Sequence, residues 1–207
     1  MELLQTQVAF FINGKITIES FVSSLKSTFP SSQIQYFPNI PDEPNFSIPR
    51  LTLSVAEPKL IITVYDSRVD MVFSGEIDDN LLSDVISSLI TSKMHIKRIG
   101  FVKTDFQEVS ADNYKTLLPT NKIEGLDIKE VGLHINLRKH VVGRAINSVE
   151  KVNPGSVGKD NTKRNGLVIQ RDCNTLAEEQ LPPKLSFQQV KDLILGLRNE
   201  AKTSILI

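Results

Sequence analysis

Two hydrophobic periods alternate along the chain, and the switches between them outline the elements. "QVAFFI" is a short apolar run closed by Asn13-Gly14, a pair that tolerates the positive φ of tight turns, so it predicts a strand and a turn. In "TIESFVSSLKSTF" the apolar residues Phe21, Val22, Leu25 and Phe29 fall on one helical face, with Thr17 placed to cap and Pro30 to stop it. Residues 38–49 carry four prolines, each restricting its predecessor, and predict an extended loop. Period-two alternation follows in "RLTLSV", "KLIITVY" and "RVDMVF", the last two forming a hairpin near Asp66-Ser67.

The period then lengthens. Leu81, Leu82, Val85, Ile86, Leu89 and Ile90 make a helical stripe behind Asp78, Asp79 and Asn80, which supply caps and negative charge at the helix's positive end. "IKRIGFVKTDF" reads as a strand and 108–125 as a polar connection. "IKEVGLHINLRKHVVGRAINSVEKV" reads as two strands turning near Lys139-His140, "NPGSVGKDNTKRNG" as a loop and "LVIQRDC" as a strand. Ser186 with Gln189 forms a capping box ahead of a last helix whose face is Phe187, Val190, Leu193, Ile194, Leu197 and Ala201. Gly196 within it costs about 1 kcal/mol against Ala.

Strands followed by a helix, twice, predict an α+β fold: a mainly antiparallel sheet in two halves with two long amphipathic helices packed on it. The connection is short and has no linker composition, so one compact domain is expected, built of halves at about 1–95 and 96–207. No self-similarity supports an internal repeat.

Four segments carry a family resemblance: "PRLTLSVAEPKLIITVYDSRVDMVFSG", "IKRIGFVKTDFQ", "NGLVIQRDCNTLAEEQLPP" and "FQQVKDLILGLRNEAKTSI". They resemble a sporadically distributed, uncharacterised prokaryotic family of α+β proteins. This chain differs after the Arg-Ile-Gly start, where "FVKTD" replaces the family's usual aromatic. The resemblance implies a cytosolic microbial protein, encoded near mobile or defence genes. It brings no established activity and assigns no functional residue.

Composition narrows the class further. With 207 residues, 40% of them apolar, the chain can bury a sizeable core. A single cysteine, Cys173, rules out an intramolecular disulfide and fits a reducing compartment. The start "MELLQTQVAFFINGK" lacks a basic n-region and a cleavage site, and no run approaches the roughly 20 apolar residues that span a bilayer, so a soluble cytoplasmic protein without a membrane partner is expected. Net charge is zero but unevenly spread. Residues 1–90 carry 11 acidic against 5 basic side chains, and residues 132–171 carry 8 basic against 2 acidic.

Catalytic chemistry is sparse. His134 and His140 share a face if their strand is continuous, but about 20 Å apart at ~3.3 Å per residue, too far for one metal. Cys173 has no base beside it in sequence. "NPGSVGKDNTK" has a phosphate-loop flavour in Gly155, Gly158 and Lys159, but a strand follows it where a helix N-terminus is needed. The acids Asp66, Asp70 and Glu76 to Asp79 lack the alternate-ligand spacing of a calcium loop. A non-enzymatic protein is expected, with no small-molecule cofactor and no metal.

The remaining signal is the basic stretch 137–166. Arg138, Lys139 and Arg144 are expected at one end of a hairpin, and Lys159, Lys163 and Arg164 at its other tip. Three readings stay open. The charges solvate an edge and keep it from aggregating. They contact nucleic acid, although no aromatic other than Tyr114 lies between Phe106 and Phe187 to stack on bases. Or they meet an acidic surface on a protein partner or a second copy of the chain. The preferred function is protein–protein interaction or self-association, with nucleic-acid binding by the basic hairpin as the alternative.

Overall fold

The computed structural model describes residues 1–14, 16–37, 49–56, 59–109, 132–158 and 163–203. These form β1 (Glu2–Ile12), α1 (Ile18–Thr28), β2 (Gln33–Tyr36), β3 (Leu51–Val55), β4 (Leu60–Val64), β5 (Arg68–Phe73), α2 (Asp79–Thr91), β6 (Ile96–Glu108), β7 (Leu133–Val141), β8 (Arg144–Val157), β9 (Arg164–Thr175) and α3 (Phe187–Lys202). The fold is α+β. The nine described strands make a single sheet in the order β2-β3-β4-β5-β1-β6-β9-β8-β7. Every neighbouring pair is antiparallel.

Strand parity decides what each face carries, because side chains alternate across the pleat. Val8 and Phe10 of β1, Val69 and Met71 of β5, Ile62 and Val64 of β4, and Ile99 and Phe101 of β6 share one face and are fully or almost fully buried. Phe21, Val22 and Leu25 of α1, Leu82, Val85, Ile86 and Leu89 of α2, and Val190, Leu193, Ile194 and Leu197 of α3 close onto them in one cluster. Each such large apolar side chain contributes about 1.5–3 kcal/mol on leaving water. The three described helices therefore lie side by side over one sheet face, where three rather than two pack.

Helix starts are set by their caps. The Asp78 carboxylate accepts from the Asn80 and Leu81 amides, and Ser186 and Gln189 complete the reciprocal capping box. Thr17 stands at the N-cap of α1 but its hydroxyl makes no capping bond. Its carbonyl instead accepts from Ser20 Oγ.

Three expectations shift. The short strand β2 was hidden, since "QIQY" offers Ile34 alone as an inward apolar residue. The ladder of β8 and β9 continues through Pro154↔Leu167 to Val157↔Arg164, so within the region expected to be a long loop at 153–165, residues 153–157 and 164–165 are strand. Pro154 has no N–H to give, and it falls past the Leu133↔Val152 pair, where β7 no longer borders β8. The β7–β8 turn is not at Lys139-His140 but at Val142-Gly143, both with positive φ (51° and 72°), the pattern of the hairpin turn whose twist matches its strands. Val142 is a β-branched residue held in a left-handed conformation. Its methyls and those of Val141 sit against Gly196 of α3, where an added Cβ would collide with Val141. Gly196 is thus a point of close approach between helix and hairpin. The connection expected at 108–125 lies outside the described residues from 110 onward.

Candidate interaction surface

The sheet face turned away from the helices is built by the other parity of the same strands. Two rows cross all nine described strands on it. One reads Gln35, Thr52, Thr63, Asp70, Ala9, Gly100, Asn174, Asn147, Arg138; the other reads Gln33, Ser54, Ile61, Val72, Gln7, Val102, Asp172, Val149, Asn136. Of these eighteen positions, nine are amides or hydroxyls and only three are charged, so the face is polar without being a charge patch. Val72, Val102 and Val149 are part-exposed on it and Ile61 is exposed. At a strand spacing of about 4.8 Å the rows extend ~38 Å.

Its two acids are perturbed in the same direction. Burial pushes the Asp70 carboxyl up from its ordinary value, against the pull of Arg68, whose Nη2 lies 3.1 Å from Oδ2. Asp70 Oδ1 and Arg68 Nε are buried with no hydrogen-bond partner, so this pair is only half satisfied. Arg68 also lies over the Tyr65 ring, 4.3 Å from its centroid. Burial likewise raises Asp172, opposed by a bond from Asn174 and by the charges of Lys151 and Arg98.

Of the six basic residues singled out in sequence, Arg138, Lys139 and Arg144 lie by the β7–β8 turn, and Lys163 and Arg164 lie at the far end of the β8 ladder. Between Arg144 and Val157 that strand covers about 43 Å at ~3.3 Å per residue. Three of the six are bound to acids. Arg138 donates to Glu178 Oε1 at 2.8 Å. Glu178 is held below the usual carboxylate range by a backbone hydrogen bond first and by Arg138 second. Lys139 is paired with Glu200 of α3. Arg164 binds Glu2 at 2.7 Å, lies near Glu108 and stacks over Phe106. Arg144 and Lys163 make no ion pair among the described residues, and Lys159 lies outside them.

A charged cluster that sequence reasoning missed lies on the helix-covered face, beyond the helices. Arg171, 4% exposed, sits between Asp105 (2%) and Glu150 (1%), donating to them at 2.8 and 3.1 Å. Lys103 adds a second cation to Asp105 at 3.1 Å. Lys103, Arg171 and Glu150 are opposite one another across β6, β9 and β8. The four formal charges sum to zero, so each buried charge has an opposite partner within the cluster. No sequence signal joins these residues; only the sheet register does.

The remaining chemical candidates are occupied structurally. Asp66 is gripped by both forks of Arg50, at 2.8 and 2.9 Å, and Arg198 bridges Glu76 and Asp79. His134 and His140 share the face of β7 turned away from the described helices, six residues apart, and His95 Nδ1 lies 2.7 Å from the Pro183 carbonyl oxygen. Cys173 is buried. Burial pushes its thiol up to about 11, away from nucleophilic use. Among the described residues no group of three His, Cys, Asp or Glu could hold a metal ion, and no helix is long and apolar enough to cross a membrane. No protein-family model matches the chain, and no curated protein matches it.

Proposed function

We propose that this is a non-enzymatic protein that works by association, with a protein partner or a second copy of itself. The observation that carries the reading is the sheet face that no described helix covers: wide, rich in amides and hydroxyls, with part-exposed valines and few charges. Such a surface forms hydrogen bonds and apolar contacts together, as protein interfaces do. Nucleic acid asks for cations aimed at phosphates, and three of the six basic hairpin residues already hold carboxylates. Within this reading the chain is one domain of two halves, about 1–95 and 96–207, meeting along β1 and β6. A cytoplasmic setting fits its single, buried thiol.

The test is affinity capture of the tagged protein from its native cells, with and without nuclease, repeated with Ile61→Arg and Val149→Arg combined. A partner protein that survives nuclease and is lost from the variant supports the reading. Recovered nucleic acid, lost with Lys163→Glu and Arg164→Glu and released steeply by salt, overturns it in favour of the basic hairpin.

A further inference from the structure

We infer that β7 is a homodimer interface, pairing antiparallel with β7 of a second copy about a two-fold axis at Leu137. This rests on the association reading and names its partner.

The first argument is the state of the edge. Among the described residues nothing pairs on the outer side of β7, a nine-residue strand. Proteins blunt such edges with bulges, proline or bare charge. The β7–β8 ladder has no register shift from Leu133↔Val152 to Val141↔Arg144, and β7 contains no proline. Its two full cations are not bare, because Glu178 holds Arg138 and Glu200 holds Lys139.

The second argument is hydrogen-bond parity. The two-residue turn makes Val141 and Arg144 a hydrogen-bonded pair, and such pairs alternate along an antiparallel ladder. The backbone groups of residues 133, 135, 137, 139 and 141 therefore point to β8, and those of 134, 136, 138 and 140 point outward. With the axis at Leu137, Asn136 meets Arg138 of the second copy and His134 meets His140. All four outward residues then face outward residues.

Third, an axis at Leu137, the centre of the strand, pairs all nine residues of β7, and the charges allow it. Arg138 falls opposite neutral Asn136 and Lys139 opposite Ile135. Moving the axis to residue 138 or 139 sets Arg138 against itself or Lys139 against itself, which like charges oppose. The residue on the axis is Leu137, an apolar side chain left 38% exposed. Strand pairing alone makes a small interface, at the weak end below about 1,200 Å², so the dimer dissociates on dilution.

The full chain with Leu137→Cys tests the register directly. Residue 137 meets itself in a non-hydrogen-bonded pair, where Cα atoms are about 4.5 Å apart and a disulfide fits. The one native thiol is buried. Mild oxidation is expected to give covalent dimer with Leu137→Cys and far less with Asn136→Cys. Sedimentation is expected to show monomer passing to dimer with concentration. Asn136→Pro removes an outward donor that β8 does not use, and should weaken the dimer about tenfold. A dimer that cross-links no better through 137 than through 136 overturns this interface but leaves self-association standing on another surface. A monomer at every concentration overturns the interface and leaves only the partner-protein form of the reading. If Asn136→Pro fails to fold, the two cysteine variants decide alone.

Discussion

The two sides of the sheet solve burial differently. On one side β2, β3, β4 and β5 are four to six residues long, and their helix-facing positions are almost all hydrocarbon. On the other, β6, β7, β8 and β9 run nine to fourteen residues and outreach the apolar core. There the same parity that places Phe101 and Cys173 in the core places Lys103, Asp105, Arg171 and Glu150 beyond it. The buried ion network, the long β7 edge that no described strand pairs and most of the described basic stretch all belong to this second side. Where strands outrun their helix cover, burial has to be completed with charge pairs or with another chain.

The comparison breaks most sharply at Arg171. Arg171→Ala leaves two buried carboxylates facing each other and should cost about 3–5 kcal/mol, read by chemical denaturation. Ile62→Val, on the hydrocarbon side, should cost only about 0.5–1.5 kcal/mol. If the two variants lose equally little, the ion network does not hold the long strands together.

A smaller effect lies at the joint between α3 and the β7–β8 turn. Gly196→Ala should destabilise by about 1–3 kcal/mol despite Ala's better helix propensity, because the new methyl meets Val141. Val142→Asn should act the other way. Asn tolerates the left-handed conformation that a β-branched residue strains against, so a gain of about 1 kcal/mol is expected in thermal unfolding.

The smallest effect is one of pH. Burial raises Asp70 and Asp172, so both bind a proton more readily folded than unfolded. Their contribution to stability is complete below the unfolded aspartate value of about 3.9 and is lost as pH rises through the raised folded values. The double variant Asp70→Asn, Asp172→Asn should therefore compare best with the parent at neutral pH. That advantage should shrink as pH falls toward about 4. A gap that widens on acidification would mean that Arg68 and Lys151 outweigh burial.

Much of the fold was legible from local signals. The 3.6-residue stripes and the caps at Asp78 and Ser186 marked α2 and α3, and period-two alternation marked β3 to β5. What escaped was set by contacts between distant segments. Pro154 looked like a breaker until β7 was seen to stop short of it. Val142 is no ordinary turn residue, and its place follows from α3 passing at Gly196. Arg171, Glu150 and Asp105 are joined only by the register of three strands. Arg138, Lys139 and Arg164 hold the acids Glu178, Glu200 and Glu2, which come from positions remote in sequence.

Amide hydrogen exchange along β7, at low and high protein concentration, tests the central claim most directly. The inward amides of 133, 135, 137, 139 and 141 should be protected at both. The outward amides of 134, 136, 138 and 140 should exchange freely when dilute and become protected together as concentration rises. If those four exchange freely at every concentration, β7 is a solvated edge and the chain associates elsewhere or with another protein.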